Sequence, residues 1–247
     1  MLAKRIIIVL TFSEGVLFRT KRFNADYRYT DNFIGNKLVD EIVIIDVSRN
    51  LDHRDKFYEA IKKISKLCFV PITAGGLIRN IEEIERLQSC GADKILINSL
   101  IHINEDEVKK ITEKYGSQFV IAGIDFLLEN NNYSIYIQNG EKKINLNIDK
   151  CLKKIEKCGV GEILVQSIDR DGSLRGYDNK INSEIKRKTT LPVLVCGGAG
   201  NWGHFEEAFR DSKVDGVCTN NIYHYSEKSM SLIKKSLYEK GIHVRKK

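Results

Sequence analysis

Proline is almost missing from this chain: 247 residues contain two, Pro71 and Pro192. No stretch has the Pro/Gly/Ser composition of an interdomain linker, and no segment is of low complexity, which leaves one domain as the simplest count. Histidine is scarce as well, at five residues, and the six cysteines (Cys68, Cys90, Cys151, Cys158, Cys196 and Cys218) form no C-x-x-C pair. No group therefore has zinc-ligand spacing; no metal and no other cofactor is expected, and the cysteines read as small, reduced core residues. Long apolar runs are absent too. Ile6–Leu10 is too short to span a bilayer and lacks the features of a secretory signal, so the expectation is a cytoplasmic protein with no membrane partner. The formal charge of +7 suits an anionic ligand or acidic partner. Its lysines are scattered along helices, as in Lys62, Lys63 and Lys66 or Lys153, Lys154 and Lys157, without the clustering and interleaved aromatics that nucleic acid requires.

What the chain does contain is alternation. Short β-branched runs recur at Ile6–Leu10, Ile42–Ile45, Phe69–Thr73, Ile95–Ile97, Phe119–Ile124, Ile163–Val165, Val193–Val195 and Val214–Cys218. Runs apolar at nearly every position suit strands buried on both faces, while Asp55–Leu67, Ile81–Gln88 and Glu105–Tyr115 between them carry helical periodicity. Strands alternating with helices imply a parallel sheet, and an internal repeat decides between an open sheet and a closed barrel. Asp40-Glu41-Ile42-Val43 answers to Gly161-Glu162-Ile163-Leu164, and the two prolines stand at the same spacing of 121. Ala74-Gly75-Gly76 is matched with Cys196-Gly197-Gly198, and Ala92-Asp93-Lys94 with Val214-Asp215-Gly216, shifted by one residue. Two four-strand halves, roughly 1–115 and 116–247, make an α/β fold: a single (β/α)8 TIM barrel over 1–247. The segment Glu129–Asn147, with Tyr133–Gln138 alternating as a strand does, is expected to form a hairpin excursion after the fifth strand.

In such a barrel, chemistry gathers at the C-terminal ends of the strands. Gly75 and Gly76 after the third strand, and Gly197, Gly198, Ala199 and Gly200 after the seventh, place bare backbone where N–H groups can meet a phosphate. Asn98 and Ser99 after the fourth strand, and Asn220 and Asn221 after the eighth, add short donors. The bland reading, that these glycines serve tight βα turns, is outweighed by their occurrence in equivalent places. Carboxylates converge on the same mouth: Asp125, Asp46, and Asp169-Arg170-Asp171-Gly172, as acids, bases or hydroxyl binders, although Asp46 and Asp171 also suit turn and helix capping. The symmetry partner of Asp125 is Thr11. At the opposite strand ends lie Arg5, Glu41, Lys94 and Glu162, which periodicity alone reads as a solvated rim or an ion-pair ring.

These residues resemble the cyclase subunit family of imidazole glycerol phosphate synthase nearly end to end. The likeness runs from Met1-Leu2-Ala3-Lys4-Arg5-Ile6-Ile7 through Gly91-Ala92-Asp93-Lys94 and Gly116-Ser117-Gln118. It continues through Gly161-Glu162-Ile163-Leu164, Ser167-Ile168-Asp169-Arg170-Asp171-Gly172, Gly176-Tyr177-Asp178 and Thr189-Thr190-Leu191-Pro192 to Gly197-Gly198-Ala199-Gly200. The resemblance implies two phosphate sites, a class I glutaminase on the N-terminal face, and ammonia passing up the barrel through a charged gate whose four positions match Arg5, Glu41, Lys94 and Glu162. It also implies aspartates at the ends of the first and fifth strands; Asp125 is one, and Thr11 replaces the other, removing an acid–base group. Arg19 stands where the family has a substrate-binding lysine, and Leu77, Asn220 and Asn221 replace small residues at the phosphate sites. The first helix, between Asp31 and Val39, is short.

Departures at the mouth beside an intact gate suggest a diverged paralogue. Such a protein would deliver ammonia from a glutaminase for amidation of a surface-polysaccharide or flagellar sugar, with a phosphorylated or nucleotide-sugar ligand and a separate sugar amidotransferase. The alternatives are a working cyclase of histidine biosynthesis, with Asp46 or Asp171 replacing the missing acid, and a non-catalytic scaffold that activates a glutaminase.

Overall fold

The computed structural model describes residues 3–28, 39–220 and 229–245. The chain opens with β1 (Arg5–Ser13), folds back through β2 (Val16–Lys21) and β3 (Asn24–Arg28), and re-enters as β4 (Glu41–Asp46). The first half then runs through α1 (Arg54–Leu67), β5 (Ile72–Gly75), α2 (Ile81–Ser89), β6 (Lys94–Ile97), α3 (Ser99–Ile103) and α4 (Glu105–Tyr115). The second half repeats the plan: β7 (Val120–Glu129), the antiparallel β8 (Asn132–Ile137) and β9 (Lys142–Ile144), α5 (Ile148–Lys157), β10 (Glu162–Ser167) and α6 (Asn179–Lys188). It ends with β11 (Val193–Cys196), α7 (Trp202–Asp211), β12 (Gly216–Thr219) and α8 (Ser229–Glu239). Strands β1, β4, β5, β6, β7, β10, β11 and β12 pair in parallel in that order, and β12 pairs back onto β1. This is the closed (β/α)8 barrel.

Strand alternation divides the core in two. Ile6, Ile8, Ile44, Ile95 and Val195 point outward and pack with Phe57, Ile61, Ile84 and Phe205 of the helices. Ile7, Val9, Val43, Ile45, Leu96, Ile121, Leu164, Leu194 and Cys218 fill the lumen. Asparagines start several helices: the side chains of Asn80, Asn104, Asn147 and Asn201 each accept the third helical N–H, satisfying a donor that the helix itself leaves open.

Several sequence expectations shift. The third strand starts at Ile72 rather than Phe69, because Phe69 sits in the helix-to-strand turn with 86% of its surface exposed. The prolines lie just before their strands, where the carbonyls of Pro71 and Pro192 accept from Ile42 N at 3.0 Å and Ile163 N at 2.9 Å. The aspartates of the repeat have equivalent jobs: Asp93 Oδ2 accepts from Ile72 N at 2.8 Å, and Asp215 Oδ2 from Val193 N at 2.9 Å. The alignment of the glycines moves by one. Ile45 pairs with Gly75, and Gln166 with Cys196, so Gly76 corresponds to Gly197 and Leu77 to Gly198. The excursion after β7 forms the expected hairpin, but the one after β1 was not anticipated from sequence. The short first helix expected between Asp31 and Val39 falls, apart from the buried Val39, outside the described residues.

Candidate functional site

The bottom of the lumen is closed by charge. Arg5 Nη1 donates to Glu41 Oε1 at 2.9 Å and to Glu162 Oε1 at 2.9 Å, and Lys94 Nζ lies 3.4 Å from Glu162 Oε1 and 3.7 Å from Glu41 Oε2. The four residues that the sequence placed at separate strand ends form one ring of two acids and two bases. Arg5, Glu41 and Glu162 are buried, and burial works against the charge on Arg5 while Glu162 and Glu41 more than restore it. Arg245 from the C-terminal segment comes within 3.9 Å of Glu41 at the outer side. Above the ring, alternation turns Thr73 inward, and its buried hydroxyl has no hydrogen-bond partner among the described residues.

At the opposite end, Asp125 and Thr11 occupy equivalent places: Thr11 pairs with Ile45, and Asp125 with Gln166. Burial pushes the Asp125 carboxyl up to about 7, while a 2.8 Å hydrogen bond from Asn98 Nδ2 to Oδ2 acts in the other direction. A carboxyl held there exchanges protons near neutral pH, which general acid–base chemistry needs. The Thr11 hydroxyl, by contrast, donates to the carbonyl of Phe18 and so ties β1 to β2.

The predicted mouth residues divide into those that face the cavity and those that build its walls. A cavity of about 470 Å³ opens on the first-half side, lined by Gly76, Leu77, Asn98, Ser99, Gly123 and Asp125 among others. Gly75 ends β5 inside the lumen, where a Cβ would meet Leu96 at 2.8 Å. Asn98, expected as a phosphate donor, positions Asp125, and its own Oδ1 is buried with no partner among the described residues. The Ser99 hydroxyl accepts from Gln138 N at 2.9 Å.

Asp46 does not point into the mouth. It faces the helices, where Oδ2 accepts from Arg54 Nη1 at 2.8 Å and Oδ1 from Ser48 N at 3.0 Å, so the capping role prevails. Asp171 likewise holds backbone: Oδ2 accepts from Phe23 N at 3.1 Å, and its carbonyl accepts from Arg22 N at 3.2 Å. It ties the loop after β10 to the hairpin tip between β2 and β3. Gly172 lies under the same hairpin, since a Cβ there would sit 2.8 Å from Thr20 O. Arg19 lies in β2 opposite Tyr27 of β3.

In the second-half loop the glycines admit another segment of the chain. A Cβ on Gly198 would come 2.1 Å from Gly176 O, and one on Gly200 would come 2.3 Å from Leu174 O. Gly197, at φ +97°, passes Ser167 O as Gly76, at φ +87°, passes Asp46 O. Ala199 is buried beside them. Asn220 follows β12, and Asn221 lies outside the described residues.

Sequence reasoning missed the covering hairpin tip between β8 and β9. Asn139 Nδ2 donates to Ser48 O at 3.3 Å, while Arg49 pairs with Glu141 at 2.9 Å and donates to Asn139 O at 3.3 Å. The signal was Asn139-Gly140, a turn pair directly after the alternating run. Among the described residues no helix is long and apolar enough to cross a membrane, and no group of His, Cys, Asp and Glu could hold a metal ion.

A family described as "Histidine biosynthesis protein" matches residues 8–229. The imidazole glycerol phosphate synthase subunit HisF of Natranaerobius thermophilus is 32% identical over 250 residues, covering 99% of this chain and 100% of its own. That of Hydrogenobaculum sp. is 34% identical over 252 residues with the same coverage, and that of Dehalococcoides mccartyi is 36% identical over 206 residues, 83% of this chain and 81% of its own.

Proposed function

Since the chain belongs to the histidine biosynthesis protein family and is a HisF-like barrel, we propose that it is the ammonia-delivering subunit of a glutamine amidotransferase system, diverged from imidazole formation. Ammonia from a class I glutaminase on the N-terminal face enters past Arg5, Glu41, Lys94 and Glu162 and leaves at the mouth. There it meets a phosphorylated or nucleotide-sugar acceptor, and a separate sugar amidotransferase completes the modification.

The observation that carries this reading is the contrast between the two ends of the lumen. At the bottom, a four-residue ion-pair ring guards an apolar tube. A structural barrel end has no need of buried alternating charges, whose desolvation is costly. At the mouth, one of two equivalent acid–base positions is Thr11, committed to Phe18 O. Two positioned acid–base groups are what a proton-shuffling cyclisation uses; one of them is absent.

The residues account for the transfer as follows. Opening the ring requires Lys94, its most exposed and most loosely held member, to swing away from Glu162 and Glu41. Neutral ammonia then crosses the tube, whose apolar walls exclude ions, and the Thr73 hydroxyl, which has no partner among the described residues, offers an inward hydrogen bond between ring and mouth. At the top, ammonia adds to an electrophilic carbonyl carbon of the acceptor, the C=O π pair moving onto oxygen as the C–N bond forms, and ionised Asp125 accepts the surplus proton of the cationic amine.

A second reading, a working cyclase, is favoured by the near-neutral Asp125 carboxyl and by the similarity to imidazole glycerol phosphate synthase subunits. A cyclase assay with excess ammonium, which bypasses any partner, separates the two. Inactivity of the natural chain is the expected outcome, and turnover comparable to a HisF enzyme overturns the proposal. With glutaminase and acceptor present, Lys94→Ala uncouples glutamine hydrolysis from product formation; unchanged coupling rules out the relay.

A further inference from the structure

Asp125 belongs to a polar row that only one half of the barrel has. In the second half, Gln166 of β10 pairs with Asp125 of β7 on one side and with Cys196 of β11 on the other. The equivalent row of the first half is Thr11, Ile45 and Gly75, and its single hydroxyl is bound to Phe18 O. A carboxyl and a carboxamide therefore stand side by side over the tube, where the other half has an isoleucine and a bare backbone.

Asn98 extends the row beyond Asp125. Its Nδ2 donates to Asp125 Oδ2, which leaves Asp125 Oδ1 to the cavity, and its own Oδ1 is buried with no partner among the described residues. The Gln166 side chain lines the same cavity and makes no hydrogen bond to the described residues. Two positions earlier in the chain stand Leu96, Gly123 and Leu164, one step lower on the same faces. Leu96 and Leu164 are walls of the apolar tube, and Gly123 lets Asn98 lean in, since a Cβ there would lie 3.1 Å from that of Asn98. Whatever leaves the tube thus meets the oxygens Asn98 Oδ1, Asp125 Oδ1 and Gln166 Oε1, carried on or just after neighbouring strands. Other ionisable groups are committed or stand at the margin. Arg49 is paired with Glu141 at 2.9 Å and, like Arg79, lines the cavity from a loop beyond the strand ends. Burial keeps the Cys196 thiol protonated, and Asp171 near it accepts from Phe23 N.

Ammonia has three N–H donors and one lone pair, and it is a nucleophile only through that pair. We propose that Asn98, Asp125 and Gln166 form a seat for ammonia at the top of the tube, each accepting one N–H so that the lone pair points into the cavity. Orientation of this kind lowers the barrier to attack, and it sets Asp125 against the nitrogen that must then lose a proton. The inference rests on the reading that ammonia arrives through the barrel, and it adds the place where ammonia stops.

Simple ammonium salts probe the seat. Methylammonium keeps three N–H donors and puts its methyl group where the lone pair would point, dimethylammonium lacks the third donor, and tetramethylammonium has none. Carbon-13 NMR of the full chain with carboxyl-labelled aspartate follows the Asp125 titration in about 0.2 M of each chloride, against sodium chloride. Ammonium and methylammonium are expected to lower the midpoint by about half a pH unit, an effect of about threefold that corresponds to a dissociation constant of about 0.1 M. Dimethylammonium and tetramethylammonium should match sodium. Gln166→Leu should lose the ammonium effect while its melting temperature shows it folded. Equal midpoints in all five salts overturn the seat, and so does an equal lowering by tetramethylammonium, which would be screening alone. A response to ammonium without one to methylammonium overturns the free lone pair, and an undiminished response in Gln166→Leu overturns the three-point contact. None of these outcomes touches the relay itself, which the coupling of Lys94→Ala decides.

Discussion

Thr11 and Asp125 stand at equivalent positions of the two half-barrels, one opposite Ile45 and the other opposite Gln166, but of the two only Asp125 presents a proton-exchanging group to the mouth. The Thr11 hydroxyl is spent on the carbonyl of Phe18. A fold that repeats its backbone so closely has assigned catalysis-compatible chemistry to one half and hairpin anchoring to the other.

Asp125 links activity to stability through pH. Its carboxyl is raised from 3.8 to about 7, so between those values the native state holds a proton that the unfolded chain has released. Stability therefore falls as pH rises through that window. Asp125→Asn is expected to stabilise the protein at pH 8 by about 1–3 kcal/mol, to have little effect near pH 4, and to abolish amine transfer. Denaturant unfolding at the two pH values checks it; equal effects at both would disprove the linkage.

Restoring an aspartate at position 11 carries a structural cost. Thr11→Asp replaces a hydroxyl donor by a carboxylate facing the Phe18 carbonyl in a buried place, and a loss of about 2–3 kcal/mol is expected at pH 8. Thr11→Val, which removes the bond without adding charge, should cost about 1 kcal/mol. A greater loss for the valine variant than for the aspartate would contradict this account.

The ring at the bottom of the barrel should respond unequally to its two bases. Arg5→Ala leaves Glu41 and Glu162 buried without their closer shared partner, and about 3–5 kcal/mol of stability should be lost. Lys94→Ala should cost only about 1 kcal/mol, since its contacts are longer and it is the most exposed of the four. Comparable losses for both would mean that Lys94 is not the movable member.

Two glycines at positive φ separate conformation from crowding. A Cβ on Gly116 meets nothing within 4 Å, so Gly116→Ala should cost about 1–3 kcal/mol from backbone strain alone. A Cβ on Gly76 would lie 2.0 Å from Asp46 O, which adds a backbone displacement and should take the loss beyond about 4 kcal/mol. Thermal unfolding of both variants decides it; a tolerated alanine at position 76 would refute the close-approach argument.

The cysteines should be slow to react. Burial pushes the Cys151 thiol up to about 12 and raises Cys196 and Cys218 as well, so few thiolates exist at pH 8. Aromatic disulfide reagents should label these three only after denaturation. Prompt labelling of the native protein at Cys218, deep in the lumen, would show that the barrel opens.

The sequence by itself determined the strand and helix alternation, the doubled plan and the residues available at each end of the barrel. Those properties depend on periodicity and on spacing along the chain, such as the 121 residues between Pro71 and Pro192. Tertiary structure decided which polar groups face the lumen and which are used up by neighbours. Asp46 ends β4 and Asp125 lies where β7 leaves the barrel for its hairpin, yet alternation turns one out to Arg54 and the other in toward Asn98. Only the paired register could align Leu77 with Gly198 instead of Ala199, because a single-residue shift changes which residues are equivalent in the two halves. Hairpin closure likewise brought Gln138 to Ser99 and Asp171 to Phe23, contacts between residues 39 and 148 positions apart. Such pairings depend on where the chain returns in space, and no local pattern encodes that.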